Sequence, residues 1–272
     1  MKNNRKYFAT PYILWMALFV VAPIVLIAVY AFASRDGGFT LSNFASMGNY
    51  LSIFGRSFWL ALISTAVCLL LGYPLAVIFA RETQRVQRIM IMLIMLPMWM
   101  NFLLRTYAWV SILDHNGLLD RALAFLRLPA VNVMYTDAAV VIGMVYNFLP
   151  FMILPIYSVV VKIDRSLIEA AQDLGGSPSA VFRRVTFPLS MPGVLSGITM
   201  VFVPAVSTFV ISKVLGGDKQ MMLGDLIDMQ FLGTAYNPQL GSAISLVMMV
   251  VVMIFMYLMN RFGEGEDKAV LI

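Results

Sequence analysis

Ile163-Asp164-Arg165-Ser166-Leu167-Ile168-Glu169-Ala170-Ala171-Gln172-Asp173-Leu174-Gly175-Gly176-Ser177-Pro178, continuing from Ser179 to Pro188, is unlike any other segment of the chain. Leu167, Ala171 and Leu174 fall at i, i+4 and i+7, on one face of a short helix. Gly175-Gly176 supplies a left-handed stop, Ser177 an N-cap, and Pro178 the first position of a second helix. Val181, Phe182 and Val185 give that second helix an apolar side beside Arg183 and Arg184, and Pro188 is expected to stop it. The spacing predicts two short helices at a sharp angle. On these residues alone they read as an interfacial connector, with Arg183 and Arg184 drawn to anionic lipid.

What flanks this segment is apolar. Of 272 residues, 61% are hydrophobic and 12% charged, about half the charge of a soluble domain. So few charges could not cover the surface of a soluble enzyme. Disorder and a collagen-like chain are excluded by the same composition, and a disulfide scaffold by the presence of Cys68 alone. The net charge of +5 does not indicate nucleic acid, because the basic residues sit in short clusters between apolar runs. A helix crossing the hydrocarbon needs about 20 mostly apolar residues. Six stretches qualify: 12–33, 58–80, 89–113, 138–161, 193–214 and 241–260. The chain is therefore expected to be all-α and integral to a membrane, a single domain over 1–272 with the 162–192 loop between spans four and five.

Lys and Arg set the orientation. The N-terminal tail (Lys2, Arg5, Lys6), the 81–88 loop (Arg81, Arg85, Arg88), the 162–192 loop (Lys162, Arg165, Arg183, Arg184) and the C-terminal tail (Arg261, Lys268) hold 12 of the 19. The opposite loops hold six: Arg35, Arg56, Arg121, Arg127, Lys213 and Lys219. The first set is expected to be cytoplasmic, with both termini inside. Acidic residues divide seven to each side, which leaves the outer loops net acidic. Lys2 to Lys6 followed by an apolar stretch and Ala31-Phe32-Ala33 has features of a cleavable leader. The stretch is longer than an ordinary leader and Pro23 interrupts it, so it is expected to stay as an anchor.

Glu169-Ala170-Ala171, three residues, Gly175, nine residues, then Val185-Thr186-Phe187-Pro188 resembles the EAA loop of ABC importer permeases. The usual ending is Ile-x-Leu-Pro, and here Val and Phe keep both sites apolar. The resemblance implies the six-helix type I (MetI-like) permease fold, with the first loop helix docked into a cleft on a cytoplasmic ATPase subunit. Ala170 and Ala171 then allow close approach, and Glu169 pairs with a basic group on the partner. Asp173, Gly175, Pro178, Arg183, Arg184 and Pro188 belong to the same coupling element. The glycine turn makes the pair of helices a lever that follows closure of the ATPase dimer, biasing the spans between two states. The chain has no G-x-x-x-x-G-K-[ST] loop to cradle phosphate. It is expected to be a non-enzyme with no cofactor of its own, ATP and Mg being bound by the partner.

Further pieces are similar to the permeases of spermidine/putrescine importers: Leu71-Gly72-Tyr73-Pro74, Leu96-Pro97-Met98-Trp99-Met100-Asn101, Leu149-Pro150-Phe151, Leu154-Pro155-Ile156-Tyr157-Ser158 and Met229-Gln230-Phe231-Leu232. This likeness implies a prokaryotic inner-membrane subunit and a polyamine as solute. The partners it implies are two ATPase subunits, a second permease subunit and an extracytoplasmic binding protein. An acidic outer face suits a polycation; permeases for other solutes share some of these pieces.

Pro74, Pro97, Pro150, Pro155 and Pro204 break spans two to five, either lining a cavity or kinking against neighbours. Ser196, Thr199 and Ser207 lie within about 80° of one another on span five, a channel stripe or a small-residue packing face. Trp99, about 15 Å into span three at 1.5 Å per residue, is too deep for the interfacial belt to which Tyr107 and Trp109 are assigned. Beside Asn101 it either holds an amine by a cation–π contact worth about 0.5–2 kcal/mol or packs against a helix. Arg105 is expected to snorkel to the outer interface. Asp225 and Asp228, at i and i+3 in the outer 212–240 loop, either draw in ammonium groups or form a solvated acidic face. His115 with scattered carboxylates makes no metal site, and Cys68 reads as packing.

Two other classes compete. A secondary transporter would carry ionisable groups at mid-membrane and broken helices in repeated halves, but the spans hold no carboxylate. A membrane enzyme would cluster nucleophiles, carboxylates or histidines near one interface, and no such cluster occurs.

Overall fold

Lipid leaves backbone groups no partner but the chain itself, so apolar stretches of this length have little choice but helix. The computed structural model describes residues 11–34, 37–115, 117–129, 131–217, 220–233 and 235–267. Lys2, Arg5, Lys6, Arg35, Lys219 and Lys268 of the orientation argument lie outside the described residues. Among the described residues every element is helical apart from one antiparallel bridge between Ala33 and Phe39.

The chain forms two compact units, Met1–Ser52 with Leu226–Met253, and Ile53–Asp225 with Ile254–Ile272. The helices are α1 (Pro11–Phe32) and α2 (Ser42–Arg81), α3 (Gln84–Met95), α4 (Phe102–Leu113), α5 (Leu118–Phe125), α6 (Asp137–Val160) and α7 (Arg165–Asp173). They continue with α8 (Pro178–Ser207), α9 (Leu223–Leu232) and α10 (Pro238–Asp267). By length and composition five helices can cross a membrane, or six with the bent α3–α4 pair as one span.

In the first unit, α1 exposes nearly all of its apolar side chains and buries only Ala31. Its end is tied off locally: Asn43 Nδ2 donates to the carbonyls of Ala31 and Ala33, each at 3.0 Å, and Phe32 stacks on Phe39 at 5.6 Å. The Asn237 N–H donates to the Gln230 carbonyl at 2.9 Å, closing the turn between α9 and α10.

In the second unit, α8 packs along α6. A Cβ at Gly193 would lie 2.9 Å from the Pro155 carbonyl oxygen, and one at Gly197 would lie 2.8 Å from the Met152 sulfur. These two positions must stay bare for the backbones to come this close. Met144, Met152, Ile153, Ile156, Ile211 and Leu215 fill the core around the pair.

Three expectations are corrected. Span three is not one helix: Met100 is extended, and Gln84–Trp99 meets Phe102–Phe125 at 91°. Pro188 does not stop the second loop helix, since α8 runs unbroken from Pro178 to Ser207. A π turn over Phe182–Thr186, closed by the Phe187 N–H on the Phe182 carbonyl, widens the backbone just before the ring that would clash with the preceding turn. Span five in turn ends at Ser207, where Thr208 is extended, and 212–240 is not a plain loop: it carries a π turn, Ser212–Gly216, and α9.

Candidate coupling site and solute pathway

The connector folds as two helices joined by a glycine turn, all within the second unit. Asp164 caps α7, its Oδ1 accepting from the Ser166 N–H at 3.0 Å. Hydrogen bonds from the Ser166 backbone and side chain hold the Asp164 carboxyl below the usual carboxylate range. Gly175 has φ +81°, a left-handed conformation that suits glycine. Its N–H donates to the Gln172 carbonyl at 2.8 Å and that of Gly176 to the Ala171 carbonyl at 3.0 Å, which closes α7. Ser177 Oγ then accepts from the Ala180 N–H at 3.3 Å with Pro178 at the first position of α8. The glycine stop, the Ser177 cap and the place of Pro178 are as the sequence assigned them; the Asp164 cap is a finding of the structure.

The faces of α7 are sorted in an unusual way. Arg165, Ile168, Glu169 and Gln172 turn toward a cavity within the unit. Leu167 and Leu174 are 49% and 90% exposed, with Ala170 exposed between them and Ala171 half-buried. An amphipathic helix ordinarily turns its apolar stripe inward. Here the stripe faces out, and Asp173, Arg183, Arg184 and Pro188 are exposed as well.

Beyond the glycine turn an aromatic cluster built on buried Tyr73 joins α8 to α2. Tyr73 meets Phe182 edge-on and Phe187 at a tilt, each at 5.8 Å between centroids. Ser190 Oγ donates to the Phe187 carbonyl at 2.8 Å, so Tyr73 Oη, also 2.8 Å from Ser190 Oγ, donates to it. Tyr73 belongs to the Leu71-Gly72-Tyr73-Pro74 stretch, and this role for it is a finding of the structure. A tyrosine beside a proline inside an apolar span was the available signal, because a buried hydroxyl requires a partner.

The expected pathway residues are only partly brought together. Trp99 is 74% exposed at the α3–α4 corner. Asn101 Oδ1 caps α4, accepting from the N–H groups of Leu103 and Leu104 at 2.8 and 3.4 Å. Ser196, Thr199 and Ser207 donate to the carbonyls of Pro192, Leu195 and Val203 within α8, with Ser196 and Ser207 exposed.

Two charge assignments are corrected. Asp225 is 7% exposed, its Oδ2 accepting from the Met222 N–H at 2.9 Å, so it anchors the start of α9 and is not part of a solvated acidic face. Asp228, one turn on, is half-buried. Arg105 is 9% exposed, with its guanidinium 5.9 Å from the Phe102 ring centroid. It does not snorkel, because the corner at residue 100 redirects α4 and depth counted along a straight helix loses its meaning there. Among the described residues no group of His, Cys, Asp and Glu side chains could hold a metal ion.

Residues 69–264 match the family model described as binding-protein-dependent transport system inner membrane component. The chain belongs to this family. It is 35% identical to the spermidine/putrescine transport system permease protein PotB of Salmonella typhimurium (strain SL1344), over 99% of this chain and 98% of that one. With PotB of Escherichia coli (strain K12) the identity is 36%, over 94% and 96%. Among solved structures, a bacterial ABC transporter involved in the import of alginate aligns with a TM-score of 0.81 at 15% identity, over 97% of this chain and 96% of that one. The MetNI methionine ABC transporter aligns at 0.59, also at 15% identity, over 79% and 95%. The fold is that of the MetI-like importer permeases, and this member of the family is a multi-pass membrane protein.

Proposed function

We propose that the chain is the membrane permease subunit of an ATP-driven polyamine importer, driven through α7. One observation carries the coupling part: α7 turns Leu167, Ala170 and Leu174 outward at the end of a capped glycine turn. Such a stripe wants a partner's surface, and α8 beyond it extends without a break into the spans. Two ATPase subunits hold ATP and Mg and grip α7 on this permease and its counterpart on a second, similar subunit. An extracytoplasmic binding protein delivers the solute. Both termini lie in the cytoplasm of a prokaryote, and this chain hydrolyses nothing and carries no cofactor. Polyamine as solute is supported by the near-full-length similarity to PotB proteins.

Within this reading Glu169, exposed on the cavity side of α7, pairs with a basic group of the ATPase that reaches around the helix, and Trp99 stands at an exposed corner where an amine can reach its ring. The test is uptake of labelled spermidine, putrescine and unrelated solutes by the assembled complex, with and without ATP. ATP-dependent uptake of the polyamines is the expected result. Glu169→Lys is expected to abolish that uptake while membrane insertion stays intact. Normal uptake by the variant would remove Glu169 from coupling, and uptake of an unrelated solute alone would overturn the substrate class.

A further inference from the structure

Asn147 lies ten residues into α6 from Asp137, about 15 Å at 1.5 Å per residue, near the middle of a hydrocarbon core about 30 Å thick. It is 2% exposed. Its Nδ2 donates to the Gly143 carbonyl at 2.8 Å, which fixes the amide's orientation, because a flipped amide would set oxygen against oxygen. Oδ1 is then left buried with no hydrogen-bond partner. A buried acceptor without a donor destabilises the fold, and an apolar side chain of similar shape would avoid that cost. Its retention here points to a donor that arrives from outside the chain.

Gly143, Asn147 and Pro150 fall at i, i+4 and i+7 on one buried face of α6. A Cβ at Gly143 would lie 2.9 Å from Ile211 Cγ2, so this face looks onto the part of span five where the helix is interrupted. There α8 ends at Ser207, Thr208 is extended and Ser212–Gly216 is a π turn. Irregular backbone at membrane depth is tolerated where protein encloses it or a cavity borders it, and broken helices mark solute sites in other transporters. Pro150 adds a second acceptor. It has no N–H, which leaves the Tyr146 carbonyl, one turn back, without its helical donor.

We propose that Asn147 Oδ1 accepts a hydrogen bond from an ammonium group of the solute as it passes mid-membrane, with the Tyr146 carbonyl as a further acceptor. This rests on the polyamine reading above and names a residue that recognises the solute. The spans hold no carboxylate, so a polycation inside them is met by neutral oxygens, which bind a cation and still release it. Arg105 Nε is also buried without a partner, but it is a donor and offers nothing to a cation. The Asn147 face is closed in this structure, so the solute reaches it only when α6 and the 208–216 stretch part.

The test is spermidine uptake and ATP hydrolysis by the assembled complex in proteoliposomes, at saturating loaded binding protein, with a melting temperature for each variant. Asn147→Leu keeps the shape and removes the acceptor. Uptake per ATP hydrolysed is expected to fall about tenfold, the factor given by one hydrogen bond to a charged group, while the melting temperature stays level or rises. Asn147→Ala should lose uptake likewise, which covers the case of a leucine that does not fit. Ser158→Ala, near the inner end of the same helix, should leave uptake unchanged. A purely structural role predicts the reverse: a lower melting temperature with uptake per ATP intact. That result would overturn the proposal, as would ATP hydrolysis falling in step with uptake. So would unchanged uptake in both Asn147 variants, which would leave Oδ1 to a trapped water only. The two readings fail separately. Polyamine uptake that both variants leave intact removes only Asn147, whereas wild-type complex that takes up no polyamine with ATP removes the importer reading and this site with it.

Discussion

Pro97 and Pro188 stand in comparably apolar sequence, and the chain treats them in opposite ways. After Pro97 the helix ends within a turn, Met100 goes extended, and Asn101 caps a new helix that departs at 91°. Before Pro188 a π turn opens instead and the helix carries on to Ser207. A proline removes one N–H and crowds one carbonyl in either place. The outcome depends on which neighbour answers the freed groups. At the corner a side chain two residues past the break offers a capping oxygen, which favours a fresh start. At the lever, the Phe187 N–H closes on the Phe182 carbonyl and Tyr73 packs against the widened turn, so continuing is favourable. The result is a corner that exposes Trp99 and a rod that runs unbroken from the glycine turn to Ser207. The same two π-then-proline steps recur at Ala17–Val21 before Pro23.

The contrast can be broken from the rod's end first. Gly175→Val forces a β-branched residue into φ +81°, which costs about 1–2 kcal/mol and is relieved by opening the turn. ATP-driven uptake is expected to fall about tenfold with membrane insertion unchanged; wild-type uptake would show that α7 need not be held at a fixed angle. At the corner, Trp99→Ala is expected to weaken solute affinity about two- to thirtyfold, the range of one cation–π contact, with assembly preserved. Unchanged affinity and uptake would take Trp99 out of the pathway. A matched pair asks whether side chains decide the fate of each proline. Asn101→Ala removes the cap and should lower stability by about 1 kcal/mol, read as a drop in melting temperature. Tyr73→Phe keeps the rings and removes one buried donor, so its drop should be equal or smaller, up to about 1 kcal/mol. If Tyr73→Phe proved much the more damaging, the hydrogen bond and not ring packing would be what keeps the rod whole.

Much of this molecule could be read along the chain because the determinants are local. Apolar runs longer than about 18 residues have few options besides crossing lipid, and α6 and α10 lie where the runs placed them. The cap at Ser177 and the stop at Gly175 involve partners within four residues. Other features depended on contacts that spacing does not encode. Asp225 looks like a surface acid until Ser57 of α2, its Oγ accepting from the Leu223 N–H at 2.8 Å, brings the start of α9 into the interior. Arg105 looks like an outer-interface residue until the corner turns α4 inward.

The linear order of residues was enough to establish a helical membrane protein whose fourth and fifth crossings are joined by a capped, glycine-hinged pair of helices, since helix, cap and turn are settled by neighbours a few positions away. Which proline bends the chain, which face of α7 is left outward, and which charges line the hollow behind it were decided only by packing. Each of those depends on whether a distant helix brings a ring to fill a widened turn, as Tyr73 does, or buries one face of a helix and not the other.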